Sequence, residues 1–483
     1  MSGKPIQLPP QGASKAPVLA AMNQARDRDV RWRQGKAFSL VFHAGDDVSG
    51  VLKDAYAMFF SENGLNPTAF PSLRKFETEV VAMTASLLGS RGQVVGNMTT
   101  GGTESILMAV LAAREWARAR RPQVAVPEMV LPQTAHPAFD KAAHYFGDQA
   151  VRVPVGHDFR ADLDAVRAAL TTSTVLLVGS APSYPQGVVD PIAGLAQLAA
   201  DRGILCHVDA CVGGMMLPFV GRLGYPVPPF DFDVPGVTSL SVDLHKYGYA
   251  AKGASVILYR DRALRRHQLF ATADWPGGIY ASPTMTGTRP GGAIAAAWAV
   301  MHYLGQEGYL DLARTVMRTA VKLRDGINAT AGLRVLGTPE MSVMAIAAER
   351  DNVYEIGDEM SLRGWHLDRQ HFPASLHLTV NYAHAQVAEQ FLQDLRQSVL
   401  AARRPSAHQV SNALTVRLAQ SAVRALPDRL VSRLVGQSGR WLGGESLPQR
   451  SAAMYGMMGT LPNRGDLREL VLDLVESFTE PQK

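Results

Sequence analysis

The sequence predicts an α/β protein with an open, mostly parallel central sheet over about residues 80–300, followed by a smaller α+β region. Two observations carry this prediction. Apolar residues recur at helical spacing over residues 73–88, and helical stretches rich in Ala, Leu and Arg occur at residues 106–120 and 163–170. Short apolar runs bounded by turn residues, as expected of buried parallel strands, lie at residues 174–178, 204–208, 239–242 and 255–258.

Three regions follow one another along the 483 residues. Residues 1–60 are a predicted N-terminal tail and arm, whose alternating aromatic and charged side chains are expected to pack on another surface. Residues 61–305 form the large domain. Residues 306–483 form the smaller C-terminal domain, with strands at residues 342–347 and 376–380.

The smaller domain contains a predicted basic helical insertion at about residues 405–445. Residues 403–450 carry eight arginines against Asp428 and Glu445, with apolar residues at helical spacing. Such a segment is either an amphipathic helix pair that touches a membrane surface or lipid substrate, or two surface helices with a solvated basic face. The second arrangement is the commoner one.

Composition excludes several classes of protein. With 47% hydrophobic and 19% charged residues, the chain is neither disordered nor fibrous. The net charge of +5 comes without a basic stripe interleaved with aromatics, so no nucleic acid is expected as a partner. Cys206 and Cys211 are the only two cysteines in the sequence. This number excludes a disulfide scaffold, argues against a structural zinc site and fits a reducing compartment. No secretory signal or membrane-length apolar run is visible, so we expect a soluble, cytoplasmic protein.

One candidate site is an anion cradle at the start of a predicted helix. Gly101, Gly102 and Thr103 run directly into the helical stretch that follows. Glycines let the backbone approach an anion closely, and the free N–H groups of a helix start favour negative charge. Gly and Thr are also ordinary turn and cap residues, so the cradle is a weak signal alone.

Two further candidates follow predicted buried strands. Asp209 ends the strand at residues 204–208, where open α/β sheets bind ligands, although it could simply cap the next loop. Lys246 follows the next strand, between His245 and Tyr247, and desolvation there is expected to favour the neutral amine that attacks an aldehyde. An anion cradle, an acid for a ring nitrogen and an amine for an aldehyde are together the demands of pyridoxal phosphate.

Six stretches of the chain carry recognisable motifs, at residues 101–105, 208–214, 243–253, 277–284, 289–292 and 454–457. Together they resemble the sphingosine-1-phosphate lyase family. The resemblance covers about residues 35–400 and 450–475. It implies a fold-type-I pyridoxal-phosphate enzyme, related to group II decarboxylases, that works as a homodimer with its active site at the subunit interface.

The resemblance also implies roles for individual residues. Lys246 would bond covalently to the cofactor, Asp209 would pair with its ring nitrogen, and His136 would lie against the ring face. Tyr184 and Lys252 would lie on the substrate side, where one of them removes a proton from the substrate hydroxyl. The cofactor phosphate would be held by Gly101, Gly102, Thr103 and His245, with Thr288 from the partner subunit. His136 and Tyr184 could alternatively be ordinary packing residues.

Two positions depart from the family pattern. Where the family has a tyrosine in its N-terminal arm, this chain has Phe42, which lacks a hydroxyl to bind a substrate phosphate or transfer a proton. Where the family has a histidine, this chain has Asn66, which keeps hydrogen-bonding capacity but loses the titratable cation. Both positions are expected on the substrate side.

The expected function is therefore that of an aldehyde-lyase in sphingolipid metabolism, cleaving a phosphorylated long-chain amino alcohol into a fatty aldehyde and phosphoethanolamine. Two alternatives stay open. One is an amino-acid decarboxylase on the same scaffold. The other is a catalytically impaired interaction protein that keeps the cofactor and docks through its basic C-terminal helices, as the changes at Phe42 and Asn66 would permit.

Overall fold

The structure is a computed structural model that describes residues 6–90, 92–404, 452, 455 and 464–479. The predicted basic insertion at residues 405–445 and most of the motif at residues 454–457 lie outside the described residues. In the described part of the chain, every helix is either too short or too polar to cross a membrane.

A seven-stranded sheet forms the centre of the large domain, with the strand order β1-β7-β6-β5-β4-β2-β3. Strand β4 is buried along its whole length, which explains its continuous apolar sequence. The strands are β1 (Val95–Thr99), β2 (Glu128–Pro132), β3 (Gln149–Val153), β4 (Thr174–Ser180), β5 (Leu205–Asp209), β6 (Ser239–Val242) and β7 (Ser255–Tyr259).

Strand directions confirm most of the predicted sheet and correct one part of it. Strands β3, β2, β4, β5 and β6 pair in parallel, which confirms the prediction for β4, β5 and β6. Strand β7 pairs antiparallel with both β6 and β1, so the prediction of a parallel strand at residues 255–258 is wrong. The twelve residues 243–254 that join β6 to β7 contain no helix, whereas the crossover between parallel strands usually contains one. Strand β1 therefore has the same direction as β6.

Helices cover both faces of this sheet. One face packs with α3, α7 and α8, and the other packs with α4 and α5, in two separate hydrophobic clusters. The N-terminal part and the large domain contain α1 (Lys15–Ala25), α2 (Asp46–Met58), α3 (Pro71–Ser86), α4 (Gly102–Arg120), α5 (Ala138–Phe146), α6 (Leu163–Ala169), α7 (Ile192–Asp201), α8 (Leu217–Arg222) and α9 (Arg262–Arg266). The predicted helices at residues 73–88, 106–120 and 163–170 correspond to α3, α4 and α6.

A two-stranded hairpin, β8 (Phe270–Thr272) and β9 (Tyr280–Ser282), precedes the long helix α10 (Gly291–Asn328). Helix α10 runs through the predicted domain boundary at residue 305, where Gly305 has a φ of 55° and interrupts the helical backbone. The boundary itself stays a prediction.

A four-stranded antiparallel sheet, ordered β10-β11-β13-β12, follows α10 and confirms the two strands predicted at residues 342–347 and 376–380. Its side chains form a second core with α11 and α12. The elements are β10 (Leu333–Val335), β11 (Val343–Ala348), α11 (Val353–Leu362), β12 (Asp368–Gln370), β13 (Ser375–Thr379), α12 (Ala388–Ala402) and α13 (Arg464–Thr479).

The N-terminal arm divides into two parts. Helix α1 buries no residue against the chain it belongs to. Farther along, Phe38 is fully buried in the core of the small sheet, stacked on His384 with ring centroids 4.0 Å apart. The arm thus joins the small sheet at Phe38, and Phe42 then packs against Tyr247 of the large domain.

Candidate active site

A cavity of about 580 Å³ lies at the carboxyl edge of the large sheet, where α/β proteins bind ligands. Asp368 and Thr379 of the small sheet contribute to its wall, so the cavity lies between the two sheets. Most of the predicted site residues line it: Phe42, Gly101, Gly102, Thr103, His136, Tyr184, Asp209, His245, Lys246 and Lys252.

The predicted cradle is the N-terminus of helix α4, which begins at Gly102 directly after β1. A Cβ atom on Gly102 would lie 2.8 Å from Asp243 Oδ2 and 2.9 Å from Cys211 Sγ, so this position requires glycine. Glu104 accepts hydrogen bonds from the backbone N–H and the hydroxyl of Thr100, at 2.6 and 2.7 Å, which fixes the loop before the helix. The N–H groups and dipole of this 19-residue helix favour an anion in the cavity.

Asp209 is the last residue of β5 and is nearly buried. Its Oδ1 atom accepts hydrogen bonds from the Cys211 backbone N–H at 3.1 Å and from the Ser241 hydroxyl at 3.3 Å. The carboxylate therefore caps the loop that follows, which is the structural role that the sequence also allowed. It also lines the cavity, where its role in binding a ligand stays a prediction.

Lys246 differs from the expectation of an amine that loses its charge easily. Its Nζ atom lies 2.9 Å from Asp243 Oδ2, and its side chain is 26% exposed. Burial acts to lower the pKa of Lys246, but Asp243, together with Cys211 and Asp209, outweighs it, so the pKa lies above its ordinary value. The expectation considered desolvation alone and missed the carboxylate three residues earlier.

Asp243 is thus a site residue that the sequence analysis did not assign. It directly follows β6 and is 2% exposed. Burial acts to raise its pKa, but Lys246 and His245 outweigh that effect and keep the pKa below its ordinary value. The carboxylate is therefore ionised. Its position at a strand end, three residues before Lys246, was the available signal.

The cavity is also lined by two histidines, His136 and His245. Burial lowers the pKa of both His136 and His245, although neighbouring carboxylates oppose the shift. His136 Nδ1 accepts a hydrogen bond from the Ala138 backbone N–H at 3.1 Å, and His245 Nδ1 donates to the Ala254 carbonyl at 2.8 Å. These bonds fix the tautomer of each ring, with the Nδ1 proton absent in His136 and present in His245.

The opposite wall carries Tyr184 and Lys252. The Tyr184 hydroxyl donates to Asp368 Oδ2 at 2.9 Å, and burial together with that carboxylate raises the pKa of Tyr184. Burial, followed by the charge of Lys246, lowers the pKa of Lys252. The Lys252 ammonium lies 5.7 Å from the centroid of the Phe42 ring. Asp368 is a second residue that sequence analysis missed, because only the fold brings β12 to the large sheet.

Two of the predicted site residues lie apart from those that line the cavity. In the described part of the chain, Thr288 and Asn66 are not among the residues that line the cavity. Thr288 Oγ1 accepts a hydrogen bond from Asn63 Nδ2 at 3.2 Å. Asn66 Oδ1 accepts from the backbone N–H groups of Thr68 and Ala69, so it caps its own turn.

Comparison with known proteins identifies the family. The pyridoxal-dependent decarboxylase conserved domain matches residues 4–347. A sphingosine-1-phosphate lyase of Oryza sativa is 41% identical over 479 residues, covering 98% of this chain and 81% of that protein. Sphingosine-1-phosphate lyase 1 of Rattus norvegicus is 44% identical over 395 residues, covering 81% of this chain and 69% of that protein.

The chain belongs to the sphingosine-1-phosphate lyase family. A solved structure of a sphingosine-1-phosphate lyase from Burkholderia pseudomallei superposes with a TM-score of 0.80 at 40% identity, covering 86% of this chain and 97% of that chain. The glutamate decarboxylase of Lactobacillus brevis superposes with a TM-score of 0.73 at 18% identity, which supports the fold alone. Both agree with the predicted fold-type-I architecture.

Pyridoxal phosphate is the cofactor of this lyase family member, and the cavity fits it. Gly101, Gly102 and Thr103 line the cavity at the start of α4, where the backbone N–H groups and the helix dipole suit a phosphate. Asp209 offers a carboxylate for a protonated ring nitrogen, and Lys246 offers the amine for an aldehyde. The three features lie in one cavity, on three different strand ends.

Proposed function

We propose that this protein cleaves a phosphorylated long-chain amino alcohol such as sphingosine-1-phosphate, giving a fatty aldehyde and phosphoethanolamine. The observation that carries this proposal is the single cavity that unites Gly102, Asp209 and Lys246 with Lys252 and Tyr184. Identities of 38–44% to sphingosine-1-phosphate lyases of plants, rodents and yeast support the same reaction.

The inner wall of the cavity would hold the cofactor. When bound, pyridoxal phosphate supplies an aldehyde for amines and a ring that accepts the electron pair of a breaking bond. Gly101, Gly102 and Thr103 at the start of α4, with His245, would hold its phosphate. Lys246 and Asp209 would hold the aldehyde and the ring nitrogen, and His136 would pack on the ring.

Lys252 is our candidate for the group that accepts the proton of the substrate hydroxyl at its Nζ atom. Its lowered pKa leaves more of the neutral amine near neutral pH, whereas the raised pKa of Tyr184 disfavours tyrosinate. Tyr184, with its hydroxyl donated to Asp368, would orient the substrate instead. Loss of that proton accompanies cleavage of the neighbouring carbon–carbon bond. The hydroxyl carbon leaves as the aldehyde, and the other carbon is reprotonated before the amine leaves.

We also propose that two copies form a homodimer with a shared site. Thr288 and Asn66 would then reach the cavity of the partner copy, which fits their position outside the cavity of their own chain. The exposed helix α1 would pack on the partner. The two free, buried cysteines fit a cytoplasmic location. Lipid contact by the basic insertion stays a prediction from sequence.

The decisive experiment is incubation of purified, cofactor-loaded protein with sphingosine-1-phosphate and with shorter phosphorylated amino alcohols. We expect aldehyde and phosphoethanolamine in equal amounts. Release of carbon dioxide from an aromatic or acidic amino acid, without aldehyde from any phosphoamine, would establish a decarboxylase instead. No product from either class of substrate would favour the interaction protein.

A further inference from the structure

The mouth of the cavity contains a strained turn that presents one apolar side chain. Leu40 has a φ of 67°, a left-handed conformation that residues with a Cβ rarely adopt. The Val41 backbone N–H donates to the Ser39 carbonyl at 2.7 Å, which closes a three-residue turn centred on Leu40. A turn of this kind with positive φ is rare because it is strained.

The structure on both sides holds this turn in place. Before it, the Phe38 carbonyl accepts from the Thr379 backbone N–H at 2.7 Å, and the Phe38 ring is fully buried. After it, the Val41 carbonyl accepts from Asn381 Nδ2 at 3.1 Å. Strain of this sort persists only where the surroundings enforce it, and it is concentrated at ligand-binding sites.

Leu40 is 64% exposed, although it lines the cavity. Among the described residues that line the cavity, it is the one large apolar side chain left exposed. Next to it, the Ser39 hydroxyl is buried and has no hydrogen-bond partner among the described residues. An unpartnered hydroxyl and an exposed leucine at one turn indicate a surface that a ligand completes.

The size of the cavity determines which part of a ligand reaches this turn. About 580 Å³ is enough for one drug-sized molecule, and this space must hold the cofactor together with the reacting carbon atoms. Under the proposed function, the substrate amine has to reach the cofactor at Lys246 on the inner wall. A long alkyl chain therefore has to leave through the mouth.

We propose that Leu40 contacts the alkyl chain of the substrate at the mouth of the cavity and determines the preference for long-chain over short-chain substrates. This inference rests on the proposed function. The strained turn holds the Leu40 side chain in contact with water. Contact with the alkyl chain of the substrate would remove water from both apolar surfaces. Leu40 is a specificity-determining residue and takes no part in proton transfer.

Two substitutions separate this role from folding. Leu40→Gly removes the side chain and relieves the positive φ, and Leu40→Asn keeps a residue that tolerates this conformation. Both are expected to keep or raise the thermal midpoint of unfolding. Leu400→Ala, at an exposed leucine of α12, is the matched control.

Binding of decyl phosphate and butyl phosphate, which have no amine to react, is measured by titration calorimetry on the loaded dimer. We expect both Leu40 variants to weaken decyl phosphate binding about tenfold, with butyl phosphate unchanged. An unchanged ratio of the two affinities would overturn the inference, whether or not aldehyde is released in the activity assay. Weakening of both ligands by the same factor leaves that ratio unchanged and would overturn the inference in the same way. Absence of aldehyde with any phosphoamine would refute the proposed function alone.

Discussion

The two walls of the cavity are built in different ways. The inner wall carries Gly102, Asp209 and Lys246, each at or just beyond the end of a strand of one sheet. The outer wall carries Phe42, Tyr184 and Asp368, which come from the arm, a loop and the small sheet. Strand ends in one sheet have a fixed spacing, so the inner wall suits a cofactor of constant shape. The outer wall depends on how separate elements pack, and it suits a substrate that differs between relatives.

The largest effect is expected at the inner wall. Lys246→Ala should reduce aldehyde release by at least about a thousandfold, because no other residue supplies the amine at that position. The measurement is turnover with saturating cofactor, with folding checked by circular dichroism. Activity within tenfold of the wild type would break the assignment of Lys246.

A smaller but still large effect is expected for the proposed base. Lys252→Met should lower kcat about 10²–10⁴-fold, in the range of general-base catalysis, while the binding of pyridoxal phosphate stays near the wild-type value. Lys322→Met, at an exposed lysine of α10, is the control. If Tyr184→Phe abolishes turnover and Lys252→Met does not, the roles of the two residues are reversed.

Asp243 tests how the inner wall controls the charge of Lys246. In Asp243→Asn the raising effect of the carboxylate is gone and burial remains, so the pKa of Lys246 should fall. More of the amine is then neutral at pH 7, and apo-protein should take up pyridoxal phosphate about tenfold faster for each unit that the pKa falls.

The uptake is followed by absorbance between pH 6 and 10, and Asp190→Asn, at a buried aspartate bonded to Ala161 and Ser180, is the control. The wild-type rate should rise with pH over this range, and the variant should reach its plateau at lower pH. Identical pH profiles would show that Asp243 does not control the amine.

The smallest effect is expected from restoring the family's hydroxyl on the outer wall. Phe42→Tyr should change aldehyde release less than tenfold, with an increase if the hydroxyl contacts the substrate phosphate. Stability should hardly change, because the ring is half-buried and already packs edge-on against Tyr247 at 4.9 Å. Phe478→Tyr, at an exposed position of α13, controls for a surface hydroxyl. A decrease of more than tenfold would mean that the wall requires an apolar ring there.

The difference between the inner and outer walls also explains which parts of the site the sequence could predict. Apolar runs bounded by turn residues located β4, β5 and β6, and the polar residues after them followed from the strand ends. Asp368 could not be found in this way, because its distance from Tyr184 depends on the packing of two sheets. The prediction of an easily neutralised Lys246 was also wrong, since the neighbouring acidic groups, Asp243 foremost, outweigh the effect of burial.

The direction of β7 was the other error. A buried apolar run has the same appearance in a parallel and an antiparallel strand, so residues 255–258 gave no sign of their direction. Only the length and composition of the connection from β6 distinguish the two, and this connection carries Lys246.

The antiparallel direction of β7 limits where the sequence can tolerate an insertion or deletion. The segment 243–254 is tied at each end to adjacent strands, so an added or deleted codon shifts the Lys246 amine relative to Asp209 at the end of β5. Crossovers that contain helices can absorb such length changes on the far side of the sheet. We therefore expect insertions and deletions to be tolerated in helix-containing connections before they are tolerated in the segment 243–254.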